Sequence, residues 1–136
     1  MQLSRRASLL LPLSLVACDK MRSPRSVSQE FIDRYYIERD HARALEVAEG
    51  LAAERVRSEK KLLEESQVGG SYAGVLPRVF YNFVKQEPKG QQTELTYAMT
   101  IDSSGVEMKK QVFITVAKFT QGYKVTLFNE RDVTPR

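Results

Sequence analysis

The spacing of the hydrophobic positions changes near Val75. Between residues 26 and 66 the apolar side chains recur every three or four positions, which predicts amphipathic helices. From Val75 onward they alternate with polar side chains or form short continuous runs, which favours strands. Helices followed by strands are typical of an α+β domain, in which the helices pack on one antiparallel sheet.

The first predicted helix begins at Ser26, because Ser26 and Gln29 have the spacing of a capping box. Val27, Phe31 and Tyr35 follow one another at one-turn spacing, so they are expected to form a buried, partly aromatic stripe. This helix should therefore contribute a wide apolar face to the core.

The second predicted helix is long, from about residue 41 to residue 66, with Asp40 as its N-cap. Ala, Glu, Leu, Lys and Arg dominate it, and all five are good helix formers. Gly50 is less favourable than alanine inside a helix by about 1 kcal/mol, so it marks either a bend or a division into two helices. The positions expected to be buried are Leu45, Ala48, Ala52, Val56 and either Leu62 or Leu63.

Four strands are predicted in the second half, and turn signals rich in glycine, proline and serine separate them. Short turns between successive strands require an antiparallel meander rather than parallel pairs. At residues 79–84 both faces of the first strand are apolar, so one face should meet a helix and the other should meet something else. The strands are expected at about residues 78–86, 92–102, 106–120 and 123–129.

The N-terminus has the order of a secretory signal, with Arg5 and Arg6, an apolar stretch at residues 7–17 and a small residue before Cys18. A membrane-spanning helix needs about 20 apolar residues, which is roughly twice this length. Pro12 at the centre disfavours a buried helix. The paired arginines also resemble a twin-arginine export signal, but the residues after them match that consensus poorly, so the general secretory route is favoured.

Residues 15–18 read Leu-Val-Ala-Cys and resemble the lipobox of bacterial lipoproteins. The resemblance implies that Cys18 receives a diacylglycerol and that the bond between Ala17 and Cys18 is cleaved. It predicts a signal peptide at 1–17, a lipidated cysteine with a polar tether at 18–25 and a single domain at 26–136. Membrane lipid would then anchor the protein on the extracytoplasmic side of a bacterial envelope. Asp19 resembles a retention signal of enterobacterial inner membranes, and the choice of membrane stays open.

Loss of the signal peptide changes the charge of the working protein. It removes Arg5 and Arg6, so the formal charge falls from +4 to +2. No cluster of Lys and Arg with interleaved aromatic residues occurs, which argues against nucleic-acid binding. Cys18 is the only cysteine and His41 the only histidine, so neither a disulfide nor a zinc site is expected. No cofactor is predicted.

Two segments resemble nuclear-transport-factor-like (cystatin-like α+β) domains. The first is the helix, acidic break and second helix around Phe31, Tyr35 and Asp40. The second is the run at 114–128, which looks like the terminal hairpin of that family, with Tyr123 where members commonly carry Trp. The resemblance implies a cone-like packing of the helices on the sheet, and dimerisation through the sheet as in many members.

Enzymes with that fold place an acid or a base inside the cone, where burial shifts its pKa. The candidates in this chain are Asp33, Asp40, His41 and Tyr97. Asp33 falls off the apolar stripe and His41 adjoins the predicted cap, so both are expected at the surface. Asp40 is interpreted as a cap, and Tyr97 as a core side chain with a bonded hydroxyl. No catalytic residue is therefore assigned.

The aromatic residues exceed what one face of a four-stranded sheet needs. They either fill a solid core or leave a small apolar pocket or docking surface. The candidate pocket residues are Tyr35, Tyr36, Tyr97 and Phe113.

Two functional hypotheses follow. The favoured one is a non-enzymatic binding or assembly module, whose partner is an unknown envelope protein, a small ligand or a second copy of the domain at the sheet. The alternative is a cone-shaped domain that binds a small molecule and has isomerase-like or hydrolytic activity. A closed pocket that contains an ionisable side chain without a partner would favour the alternative, and so would a cavity lined by Asp33 or His41, whereas a solid core with His41 in solvent would exclude it.

Overall fold

The computed structural model describes residues 22–66 and 76–133. Within these ranges, helices pack on a four-stranded antiparallel sheet, which confirms the predicted α+β class. The signal peptide, Cys18 and the first part of the tether lie outside the described residues. The elements are α1 (Pro24–Ile32), a π-helical turn (Asp33–Ile37), α2 (His41–Leu45), α3 (Gly50–Ser66), β1 (Arg78–Lys89), β2 (Gln92–Ser103), β3 (Val106–Phe119) and β4 (Gly122–Asp132).

Helix α1 begins earlier than the capping-box spacing predicted. Its N-cap is Ser23, whose hydroxyl accepts a hydrogen bond from the Ser26 backbone N–H at 3.1 Å. The Ser26 hydroxyl accepts from the Ser23 backbone N–H at 3.0 Å and completes the box. Pro24 occupies the first helical position, where its missing N–H and fixed φ suit the helix. The prediction that the helix starts at Ser26 is therefore wrong by two residues.

The predicted long helix is divided in two at Gly50. After α2 the chain leaves the helical path, and the Val47 carbonyl accepts from the Val125 N–H at 2.8 Å. The Glu49 N–H donates to the Val125 carbonyl at 2.9 Å, so this segment covers the outer edge of β4. Gly50 then starts α3 with φ of +60°. A continuous helix over residues 41–66 is wrong, and the alternative of two helices is confirmed.

The end of α3 lies outside the core. Ala52, Ala53 and Val56 are buried, but Leu62 and Leu63 are 63% and 46% exposed. The expectation that one of the two leucines continues the buried stripe is wrong, because the last turns of the helix extend beyond the part that packs on the sheet.

The sheet is the predicted meander, with strand order β1-β2-β3-β4. All four predicted strands are present, and β1 and β4 run about three residues further than predicted. Pro88 is tolerated because β1 is an edge strand. The helix-facing side of the sheet forms the centre of the core, with the buried side chains Leu95, Tyr97, Met99, Val112, Ile114, Val116, Val125 and Phe128.

The other face of the sheet is more open to solvent. Val79, Tyr81 and Phe83 of β1 pack against the core, whereas Phe80 between them is 57% exposed. Leu127 of β4, on the same outer face, is 39% exposed. The two-sided apolar pattern of β1 therefore leaves an uncovered aromatic side chain.

Candidate functional site

A cleft of about 510 Å³ lies between the π-helical turn, the second half of α3 and the start of β1. Aliphatic side chains and hydrogen-bonding groups both line it, a combination common to small-molecule sites. The cleft opens to solvent. It is lined by Tyr35, Tyr36, Arg39, His41, Glu59, Leu63, Leu76, Val79 and Ile101.

The π-helical turn places two consecutive tyrosines on the same side of the chain. Its wider hydrogen bonding is seen where the Glu38 N–H donates to the Asp33 carbonyl at 2.8 Å. The ring of Tyr35 stacks on Phe31 of α1, and the ring of Tyr36 meets Tyr35 edge-on with centroids 4.7 Å apart. Single π-helical turns occur frequently at functional sites. Both tyrosines thus reach the cleft.

A network of charged groups and hydroxyls lies beneath the tyrosines. The Tyr35 hydroxyl donates to Glu59, and the Tyr36 hydroxyl donates to Glu130. Arg55 joins the two carboxylates, with Nε 3.1 Å from Glu59 Oε2 and an Nη 2.9 Å from Glu130 Oε1. Each carboxylate therefore has a tyrosine donor and a guanidinium partner, as partly buried charges require.

The surroundings favour the protonated form of these side chains. Burial raises the pKa of Tyr36 well above its ordinary value, and the hydrogen bond to Glu130 raises it further. Burial and the bond to Glu59 act in the same direction on the pKa of Tyr35. Burial lowers the pKa of Arg55, but the bonds to Glu130 and Glu59 outweigh burial and leave it raised. At neutral pH the tyrosines are donors and Arg55 is a cation.

His41 lies inside the cleft rather than in solvent. Its side chain is only 13% exposed, and Nε2 lies 3.6 Å from Glu59 Oε1. Its ring meets Tyr35 edge-on at 5.3 Å. The predicted surface position of His41 is wrong, because α2 turns back and brings its first residue against α3. The preceding Asp40 is the N-cap, as predicted, and its carboxylate accepts from the Arg43 N–H at 3.1 Å.

The four candidate pocket residues lie in three different places. Tyr35 and Tyr36 line the cleft. Tyr97 is fully buried in the core and shares a hydrogen bond with the Ser28 hydroxyl. Phe113 pairs with Thr96 and Asn129 in a register that puts it on the outer face. The structure brings together only the two tyrosines.

Asp33 also differs from its predicted surface position. It is partly buried, and its carboxylate accepts from the Tyr81 hydroxyl at 2.8 Å. It does not line the cleft. The pair ties the π-helical turn to β1, so Asp33 has a positioning role in the fold.

Sequence reasoning missed Arg39, Arg55, Glu59 and Glu130. Arg55 and Glu59 stand four residues apart, which in sequence looks like an ordinary ion pair on a solvated helix face. Glu130 follows Arg55 by 75 positions. Only the folding of β4 against α3 shows that these groups form one network.

The arrangement provides hydrogen-bond donors and apolar contacts rather than an obvious reactive group. Across residues 22–66 and 76–133, no group of three His, Cys, Asp or Glu side chains could hold a metal ion. No helix in the same ranges has both the length and the hydrophobicity needed to cross a bilayer. No protein-family profile matches the chain, and no curated protein shows significant similarity to it.

Proposed function

We propose that this protein is a lipid-anchored component of a bacterial envelope whose domain binds a small, partly apolar ligand without converting it. The observation that carries the proposal is the cleft, which combines aliphatic side chains with the Glu59 carboxylate, already held by Tyr35 and Arg55. The lipobox at residues 15–18 supports the anchor. A diacylglycerol supplies the two chains needed for stable membrane attachment.

The proposal extends to the shape of the domain. The resemblance to nuclear-transport-factor-like domains supports a cone-like arrangement, with helices closing on one face of a meander. The cleft would then be the mouth of the cone, between α3 and the free end of β1.

The paired state of the titratable groups supports binding rather than catalysis. A general acid or base works best with a pKa near the operating pH, whereas the cleft tyrosines have raised pKa values. Both carboxylates of the network are bonded. The cleft is also open, so it does not meet the expectation of a closed pocket with an unpartnered ionisable group.

His41 supports the second candidate, an isomerase-like or hydrolytic domain, because it lies in the cleft close to Glu59. Turnover tests with small esters and ketosteroids on the wild type and His41→Asn distinguish the two candidates. Activity that disappears in His41→Asn would replace the binding proposal. We expect no turnover by either protein.

Binding in the cleft is tested with the neutral fluorescent probe N-phenyl-1-naphthylamine. We expect Leu63→Gln to weaken probe binding about fivefold, since it removes roughly 1 kcal/mol of apolar contact. Leu62→Gln is the matched control, because Leu62 is the more exposed neighbour on α3 and does not line the cleft. Absence of probe binding, or an equal loss in both variants, would contradict the proposal.

The anchor is tested separately by labelling cells with a radioactive fatty acid. We expect Cys18→Ala to accumulate as an unprocessed precursor without label, because the thiol that receives the lipid is missing. Equal labelling of wild type and Cys18→Ala would refute lipidation at this residue. Fractionation of the labelled wild type then assigns it to the inner or the outer membrane.

A further inference from the structure

We propose that the ligand of the cleft carries an acidic group beside its apolar body, and that Arg39 binds this group. The inference rests on the proposed binding function and specifies its ligand class. Arg39 lines the cleft at the end where the π-helical turn meets α2.

The backbone at Arg39 does not favour an arginine. Its φ is +57°, in the left-handed region, where glycine is the preferred residue at the end of a helix. The turn is closed by backbone groups, as the Asp40 N–H donates to the Arg34 carbonyl at 2.8 Å. A glycine would close this turn without strain, so the turn itself does not explain a long cationic side chain.

Glu38, Glu59 and Glu64 near Arg39 are each paired with another cation, and the Asp40 carboxylate caps α2 by accepting from the Arg43 N–H at 3.1 Å. Within the described part of the chain, Glu59 pairs with Arg55 at 3.1 Å. In the adjoining surface groove, Glu38 pairs with Arg43 at 2.6 Å and Glu64 with Lys60 at 2.8 Å. Arg39 makes no ion pair among these residues and is exposed. Its charge is therefore open to an external anion.

The rest of the cleft fits the other end of such a molecule. The aliphatic residues of the cleft lining are Leu63, Leu76, Val79 and Ile101. A guanidinium binds carboxylate, sulfonate or phosphate through two parallel hydrogen bonds. An amphipathic anion can therefore contact Arg39 with its head and the leucines with its body. A cationic head would meet Arg39 at the same place and be repelled.

The test compares two probes with the same apolar body. One is 8-anilinonaphthalene-1-sulfonate and the other is N-phenyl-1-naphthylamine, which lacks the sulfonate. We expect Arg39→Gly to lower the ratio of sulfonate affinity to neutral-probe affinity about tenfold, the loss typical of a charged hydrogen bond. Arg39→Lys should keep part of the preference for the sulfonate probe over the neutral probe, because lysine keeps the positive charge. Added salt should weaken sulfonate binding in the wild type more than in Arg39→Gly.

Ser104→Gly is the matched control. Ser104 is another non-glycine residue with positive φ, at +53°, and it lies in the β2–β3 turn outside the cleft lining. Both glycine variants should fold with an unchanged or higher Tm, since glycine adopts these angles without strain. If Arg39→Gly loses the preference for the sulfonate probe and Ser104→Gly keeps it, the loss is caused by removal of the arginine side chain and not by the change of backbone.

The outcomes separate the two proposals. If the neutral probe binds and Arg39→Gly leaves the sulfonate preference intact, the acidic-ligand inference fails and the binding function stands. If a primary amine with the same aromatic body binds more tightly than the sulfonate, the inference is also overturned. If neither probe binds the wild type, both proposals fail.

Discussion

At the residue scale, three tyrosines act as hydrogen-bond donors to carboxylates within a largely apolar setting. Their spacing in the sequence indicates only that they are partly buried. In the structure each one joins two elements through a carboxylate, and each has a pKa raised first by burial and then by that bond. The pairs are Tyr35 with Glu59, Tyr36 with Glu130 and Tyr81 with Asp33.

These pairs predict a loss of stability in alkali. The pKa of Tyr36 is raised above the ordinary value of 10.0, so its contribution is complete below pH 10 and declines as pH rises through the folded-state pKa. In that window Tyr36 lowers the free energy of unfolding by about 1.4 kcal/mol per pH unit. Denaturant unfolding should show a steep decline above pH 10 that is shallower in Tyr36→Phe.

Tyr123→Phe is the control for this pH dependence, because the Tyr123 ring lies against Lys118 rather than a carboxylate. An equal slope in Tyr36→Phe and wild type would show that the Glu130 bond does not hold the Tyr36 proton.

At the element scale, the division between α2 and α3 determines where the cleft residues lie. The segment between the helices forms hydrogen bonds with Val125 of β4, and α3 starts afresh at Gly50. Because α2 is short and turns back, His41 faces Glu59 of α3. A single helix would carry His41 away from Glu59, since the two would lie about 27 Å apart at 1.5 Å per residue.

Replacing Gly50 by alanine tests whether the helix is divided here, because the free energy of unfolding should fall if it is divided and rise if it is continuous. With φ of +60°, Gly50→Ala should lower the free energy of unfolding by about 1 kcal/mol. The new Cβ would meet only the Thr126 carbonyl oxygen at 3.9 Å, so the loss reports backbone strain. In a continuous helix the same change would stabilise by about 1 kcal/mol. Gly50→Asn should be milder than Gly50→Ala, because asparagine tolerates the left-handed region.

At the scale of the whole molecule, the two faces of the sheet differ. The helices and the cleft lie on one face, whereas Phe80 and Leu127 are exposed on the other. An uncovered aromatic side chain on a sheet can take part in a two-fold contact, in which both copies offer the same patch. We therefore propose that the predicted contact between two copies uses this outer face and includes Phe80.

Sedimentation of the domain without its lipid tests this arrangement. We expect a concentration-dependent dimer that Phe80→Asp dissociates, because the substitution replaces an exposed aromatic side chain of the contact by a charge. Val106→Asp is the control, since Val106 is 65% exposed, somewhat more than Phe80, but lies next to the β2–β3 turn. A wild type that remains monomeric at high concentration would exclude the dimer.

Local patterns were sufficient for much of the architecture. Alternation and turn residues place the four strands to within a few residues, because each strand extends from one short turn to the next. Asp40 was recognisable as a cap, since a cap bonds within its own turn. The same local pattern led to Ser26 being predicted as the helix start instead of Ser23, because both serines belong to one capping box. The lipobox is also a local signal, and it precedes the described residues.

The cleft depends on contacts between distant parts of the chain. Tyr36 and Glu130 are 94 positions apart, and no periodicity in sequence relates them. Leu63 is exposed because the last turns of α3 extend past the sheet. The His41 side chain is largely covered because α2 packs back against α3. The sequence by itself determined the order and class of the elements and the predicted anchor. Only tertiary packing decided which side chains share the cleft, because burial and pairing arise between elements.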